Sequence, residues 1–292
     1  MRSTRSIAVV GALALTLAAA ACGGSGDDAG SVDGETNFAA GSTMLKLKES
    51  GRLRVGTKFD QPGFGLVQPN GKPEGFDVEI AKIIAERLGV PEDGIEFIET
   101  PSTIREEVLE QNRVDIVVAT YTINDKRKQR VDFAGPYYIA GQTLMVKADN
   151  TDITGPDAFK DGTKKVCSVK NSTPATNIEK YLQDTAKQLV LFDEYQSCVN
   201  SLKSGKVDAV TTDNVILTGF VAASNDKYAL AGTAFTEEPY GIGVKKGDKD
   251  FRNFINDSLE AAFDDGSYIR AWKISAGEYD GRDPRIPTVD RY

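Results

Sequence analysis

Apolar and polar positions follow two rhythms along this chain. Phe76, Ile80, Ile83, Ile84 and Leu88 recur every three or four residues, the spacing that lines one face of a helix. This predicts a helix over 77–88, with Asp77 able to cap its start and Gly89 and Pro91 stopping it. Short apolar runs at 53–57, 95–98, 115–119, 142–146, 165–169, 190–192, 209–212 and 241–244 read as strands, and a Pro69, Asn70, Gly71 turn joins two extended segments. Helical stretches follow Ser102, Pro174, Tyr195, Asp213 and Asp250. Strand and helix therefore alternate, which predicts an α/β fold with mostly parallel sheets. Two successive sheets of about five strands suit the length better than a single sheet of about ten.

The pattern is different at the start. Arg2 and Arg5 precede an apolar run, 7–21, that is too short to span a membrane and ends in small residues before Cys22, Gly23 and Gly24. Residues 1–21 read as an export signal. A cysteine at that junction suggests a bacterial lipoprotein, acylated at Cys22 and held on the outer face of the cell membrane. Ala19 stands where leucine is usual, so ordinary cleavage to an unanchored secreted protein stays open. Residues 22–43 are Gly, Ser, Asp and Ala with a single aromatic, the composition of a flexible tether with an end-to-end distance of about 25 Å. No later stretch is long and apolar enough to cross a membrane.

Composition narrows the chemistry. The 292 residues are 40% apolar and 27% charged, enough for one large or two medium cores. The formal charge is −8, and loss of the first 21 residues removes Arg2 and Arg5 and leaves −10, a surface that repels nucleic acid. The cluster Lys126, Arg127, Lys128 and Arg130 is flanked by Asp125 and Asp132 and interleaved with no aromatic, so apart from Arg127 it reads as a solvated helix face. With no histidine there is no Ser-His or Cys-His pair and no His-containing metal site. No cofactor or metal is expected. The three cysteines are too few and too far apart for a zinc knuckle. In an exported protein Cys167 and Cys198 are expected to pair with each other, a free thiol being the alternative.

The richest segment is 117–138, VVATYTINDKRKQRVDFAGPYY. An apolar strand ends in Thr120, Tyr121 and Thr122, and Arg127 follows on what reads as the first turn of a helix. Hydroxyls, free backbone N–H groups and a guanidinium would converge there, a place to hold a carboxylate.

The run GFDVEIAKIIAERLG, 75–89, resembles the signature of the family 3 bacterial solute-binding proteins, which deliver polar amino acids to ABC importers. The helix itself reads as core. VGTKFDQPGFG, TPSTIREEVL, ATYTINDKRKQRVDFAGPYY, CSVKNSTPAT, SCVNSLKSGKVDAVTTDNVIL and EEPYGIGVKKGD recur in the family's order, so the resemblance spans about 53–272 and is strongest to glutamate-binding lipoproteins. It implies a two-lobe, type II periplasmic-binding-protein-like fold with two crossing strands as the hinge. Lobe 1 would be 44–140 plus 239–292, lobe 2 would be 141–238, and the crossings would lie near 138–142 and 236–241. Ligand would sit between the lobes, and the protein would act as a monomer.

By the same resemblance Arg127 forks onto an α-carboxylate, with Thr120 and Thr122 adding donors. Asp213 takes the α-ammonium, its other reading being the N-cap of the next helix. Thr173 and Thr176 supply hydroxyls from lobe 2, and Pro174 marks the start of a helix there. Lys58, Ser102 and Arg105 match positions that meet a side-chain carboxylate, with Lys170 a further cation; Arg105 could instead pair with Glu106 or Glu107. The implied function is capture of an acidic amino acid, glutamate first and aspartate next. A glutamine or asparagine carrier, a surface sensor using the same pocket, and a dehydratase-like enzyme relying on an acid such as Glu238 are the alternatives. The tail 277–292 is polar and irregular and carries no role beyond draping or mobility.

Overall fold

The structure, a computed structural model, describes residues 37–292. The signal, Cys22 and most of the tether lie outside them. The tether's last residues are docked: Phe38 meets Phe254 edge-on with ring centroids 5.4 Å apart. Helix α1 (Thr43–Ser50), unforeseen in the sequence, starts where the Ser42 hydroxyl accepts the Leu45 N–H and buries Met44 and Leu47.

Strand β1 (Leu53–Thr57) is followed by a small antiparallel sheet of β2 (Asp60–Gln61), β3 (Gly65–Val67) and β4 (Pro73–Glu74), with the expected turn between the last two. Helix α2 (Phe76–Leu88) buries the whole predicted stripe and ends at Gly89. Asp77 is not its cap. That position is held by Gly75 at φ +138°, where a β-carbon would come within 2.3 Å of the Phe64 carbonyl, so Asp77 sits inside the first turn and turns inward. Then come β5 (Ile95–Glu99), α3 (Arg105–Glu110), β6 (Ile116–Val117), α4 (Asp125–Lys128) and β7 (Val131–Ala140).

The chain next builds a second sheet with β8 (Gln142–Lys147), β9 (Val166–Val169), α5 (Thr173–Ile178), α6 (Thr185–Gln188), β10 (Leu189–Phe192), α7 (Tyr195–Lys203), β11 (Ala209–Asp213), α8 (Asn214–Ala222) and β12 (Tyr228–Ala231). It returns to the first sheet with β13 (Glu238–Lys245) and closes with α9 (Lys249–Asp264), α10 (Ser267–Lys273) and α11 (Gly277–Asp280). The two five-stranded sheets have the orders β5-β1-β6-β13-β7 and β10-β9-β11-β8-β12.

The sheets are not mostly parallel. In each, two neighbouring pairs are parallel and two antiparallel. A parallel pair needs a crossover packed on its own sheet, whereas β8 and β13 each arrive from the other sheet and run against their neighbours. Strand β7 was also missed. Gly135 and Pro136 interrupt its sequence, and they fall where the register against β13 shifts between Tyr240 and Ile242, a bulge that tolerates proline.

The first sheet's core packs Val55, Ile116, Ile242 and Val244 against Ile80 and Ile84 of α2, with Trp272 of α10 5.1 Å from Phe76 and stacked on Tyr138. The second core surrounds a disulfide between Cys167 on β9 and Cys198 on α7, Cα atoms 5.5 Å apart, as expected. The tail is strapped down rather than loose. The Asp290 N–H donates to the Gly135 carbonyl, the Phe133 N–H donates to the Tyr292 hydroxyl, and the Tyr292 ring lies 3.8 Å from the Lys128 ammonium. These contacts cover β7, the outer strand of its sheet.

Candidate functional site

Strand β6 ends in a backbone turn that side chains hold open. Thr120 adopts φ +45°, a left-handed conformation that costs a threonine about 1–2 kcal/mol. Its N–H donates to Asp77 Oδ2 at 2.8 Å, and its hydroxyl lies 3.1 Å from Gln61 Oε1 and 2.7 Å from the Ala119 carbonyl. Asp77 Oδ1 accepts from the Tyr137 hydroxyl at 2.5 Å. Complete burial raises the Asp77 carboxyl from 3.8 to about 7, against the pull of Tyr137, the Thr120 N–H and Arg105. The signature helix thus reaches the site through its first turn, which the sequence reading, taking the helix as core alone, did not foresee.

Two guanidiniums flank that turn. Arg127, on α4 where the Asn124 side chain caps the helix by accepting its N–H, donates from Nη1 to the Thr122 carbonyl at 2.7 Å. Its Nη2 donates to the Asn171 carbonyl at 3.3 Å, and its Nε lies 3.4 Å from Glu106 Oε1. Burial lowers it to about 10, still protonated at neutral pH. Arg105, at the start of α3, donates from Nη1 to the Ala119 carbonyl at 2.8 Å. Both guanidinium carbons lie over the Tyr121 ring, at 4.4 Å for Arg105 and 4.9 Å for Arg127. Glu106 and Glu107 serve Arg127 and Arg113. Among the described residues no carboxylate forms an ion pair with Arg105, which is 3% exposed, and its Nε has no partner.

The second sheet faces these groups. Asp213 ends β11 at the N-cap position of α8, yet its side chain makes no cap bond. Oδ2 accepts from the Tyr240 hydroxyl at 2.5 Å and Oδ1 is left without a partner. Burial and the nearby charge of Glu238 push its carboxyl above the ordinary range. Thr173 opens α5, with Pro174 second in the helix rather than first, and its hydroxyl is unpartnered, as is that of Thr212. Buried polar groups normally have partners, so this concentration of unsatisfied atoms marks where a polar molecule would complete the bonding.

These side chains close on a narrow cavity of about 10 Å³. Of the residues anticipated from sequence, Ser102, Arg105, Thr120, Thr122, Arg127, Thr173 and Asp213 line it. Lys58 and Thr176 do not, and Lys170 is half exposed and paired with Asp193. Lys58 is buried with its ammonium 3.5 Å from Asp60 Oδ1. Gln61, Tyr195 and Thr212 line the cavity without having been singled out, although Gln61 lies in the motif VGTKFDQPGFG. A pocket with cations at one side and a carboxylate at the other has the charge pattern to hold a small zwitterion.

The family described as bacterial extracellular solute-binding proteins, family 3, matches residues 53–273. The chain is 38% identical to the glutamate-binding protein GluB of Corynebacterium efficiens over 82% of its own length and 83% of the relative's. It is also 38% identical to the glutamine-binding protein GlnH of Bacillus subtilis, over 94% and 97% respectively. Among solved structures it is similar to an ancestral arginine-binding protein bound to glutamine, with a TM-score of 0.71 and 36% identity, covering 80% of this chain and 99% of that one.

Proposed function

The chain belongs to family 3 of the bacterial extracellular solute-binding proteins, and from that premise we propose that it captures an acidic amino acid, L-glutamate before aspartate, for delivery to an ABC importer. It has the type II periplasmic-binding-protein-like fold and is an amino-acid-binding member of the family. The reading rests on Arg105. A guanidinium buried in the cavity wall with no carboxylate partner is costly, and a ligand with a second carboxylate removes that cost, whereas an amide does so only in part.

Arg127 takes the α-carboxylate, helped by Thr120 and Thr122; the free Oδ1 of Asp213 takes the α-ammonium; Ser102 and Arg105 meet the distal carboxylate; Thr173 adds a hydroxyl. Lys58 and Thr176 receive no direct contact in this reading. About five charge-assisted hydrogen bonds at roughly 1.5–3 kcal/mol each, less the entropy of capture and closure, leave about −8 kcal/mol, a roughly micromolar affinity. Lobe 1, 44–140 plus 239–292, closes on lobe 2, 141–238, about the two passages between the sheets. We further propose that the protein is a monomer tethered through lipidated Cys22 to the outer face of the cell membrane, and we assign it no catalytic step.

A glutamine or asparagine carrier is the second reading, favoured by the similarity to GlnH. Isothermal titration of the ligand-stripped protein with L-glutamate, L-aspartate, L-glutamine and L-asparagine decides between them. Tight glutamate with weak amides supports the acidic reading, and a preference for either amide overturns it. Arg105→Ala is expected to weaken glutamate far more than glutamine; an equal loss removes Arg105 from the specificity contacts.

A further inference from the structure

Helix α7 begins at Tyr195, and Glu194 at its N-cap position offers no side-chain bond to the helix. The acceptor comes from elsewhere: Asp60 Oδ2, on the small sheet beside β1, takes the Tyr195 N–H at 2.7 Å across a sequence separation of 135 residues. Asp60 is 8% exposed and its other oxygen faces the Lys58 ammonium. Asp60 thus belongs to the half of the molecule built on the first sheet, α7 is tied by the disulfide to β9 of the second, and Tyr195 lines the cavity.

A helix N-terminus carries unsatisfied N–H groups and a partial positive charge, and a carboxylate is its best partner. We propose that Asp60 is a positioning residue that caps α7 only when the two lobes meet, seating Tyr195 against the ligand and holding the closed form, with Lys58 as its counter-charge rather than a reader of the ligand. This rests on the closing, amino-acid-binding reading above. A bond made only in the closed state slows ligand escape and leaves encounter with the open state unchanged. It also stabilises the liganded protein and not the ligand-free one. Because neither Asp60 nor Lys58 then touches the ligand, discrimination between ligands is unaffected.

The test is stopped-flow binding of L-glutamate and L-glutamine to the wild type, Asp60→Ala, Asp60→Asn and Lys58→Met, with thermal melts with and without ligand. For Asp60→Ala the dissociation rate is expected to rise about tenfold or more, the size of one charge-assisted hydrogen bond. The association rate should change less than about twofold, the glutamate-to-glutamine ratio should hold, and the ligand-induced rise in melting temperature should shrink. Asp60→Asn, which keeps a carbonyl acceptor, should fall between wild type and alanine. Unchanged dissociation in Asp60→Ala overturns the capping role. A glutamate-to-glutamine ratio that collapses in Lys58→Met overturns the counter-charge role and returns Lys58 to the ligand. A wild type that binds no amino acid overturns the underlying reading, a result distinguishable from a failure confined to the variants.

Discussion

Asp77→Asn is a sharp probe of how the signature helix supports the site. The buried carboxyl is raised from 3.8 to about 7, so the folded protein keeps a proton that the unfolded chain releases between those values. On this account stability is greatest below about pH 4, falls as the pH rises through about 7, and is flat beyond. Between pH 5 and 8 the loss amounts to about 2–3 kcal/mol, since each unit of separation is worth about 1.4 kcal/mol. Asparagine carries no titrating group yet retains an oxygen for the Thr120 N–H, so the variant should lose this slope and hold Thr120 in place. The assay is urea unfolding of wild type and variant, ligand-free, at pH 5 and 8. The stability difference between them should move by about 2–3 kcal/mol in the variant's favour at the higher pH, or about 5–10 °C in melting temperature for a domain of this size. Other titrating groups, Asp213 among them, act equally in both proteins and drop out of the comparison. Parallel pH profiles for the two proteins would refute the reasoning.

Other expectations follow from the same geometry. Arg127→Ala should abolish binding of every amino acid in titration calorimetry, and retained micromolar affinity would sink the α-carboxylate assignment. Glutamate affinity should decline as the pH is lowered from 8 to 5, because the raised carboxyl of Asp213 protonates and loses its attraction for an ammonium; calorimetry showing constant affinity over that range would exclude Asp213 as the partner. Replacing Cys167 and Cys198 together by serine should remove about 3–4 kcal/mol of stability, given the 31-residue separation, and leave affinity within about threefold. A large affinity loss would place the disulfide in the binding mechanism.

Much of the architecture was legible because local rules and long-range packing agree. The α2 stripe fills one side of the first core, and the cysteines pair as expected. The failures have local causes. Pro136 disguised β7, and strand polarity depended on which sheet a strand came from, a fact no local window contains. Asp77 read as a cap because its residue type suits one, whereas the conformation of Gly75 had already taken that position. The strand end and helix start of 117–138 pointed to Arg127 as a carboxylate partner, and resemblance supplied Arg105 and Asp213. Gln61 and Thr212 lie inside the family's motifs and Tyr195 outside them, but the three come from segments far apart in sequence and only the fold brings them together. Lys58, matched to a ligand position by resemblance, has its ammonium 3.5 Å from a carboxylate two residues away, a pairing that lay within one short motif.

The strap over β7 bears on how the protein behaves at high concentration. An uncovered outer strand offers a row of free N–H and C=O groups to any passing chain, the usual template for aggregation. Here the Phe133 N–H and the Gly135 carbonyl are occupied by Tyr292 and Asp290, and a third group, the Gly135 N–H, is taken by the Asn256 side chain on α9. The polar tail thus occupies groups that an uncovered outer strand would offer to a neighbouring chain, and trimming it is expected to expose them.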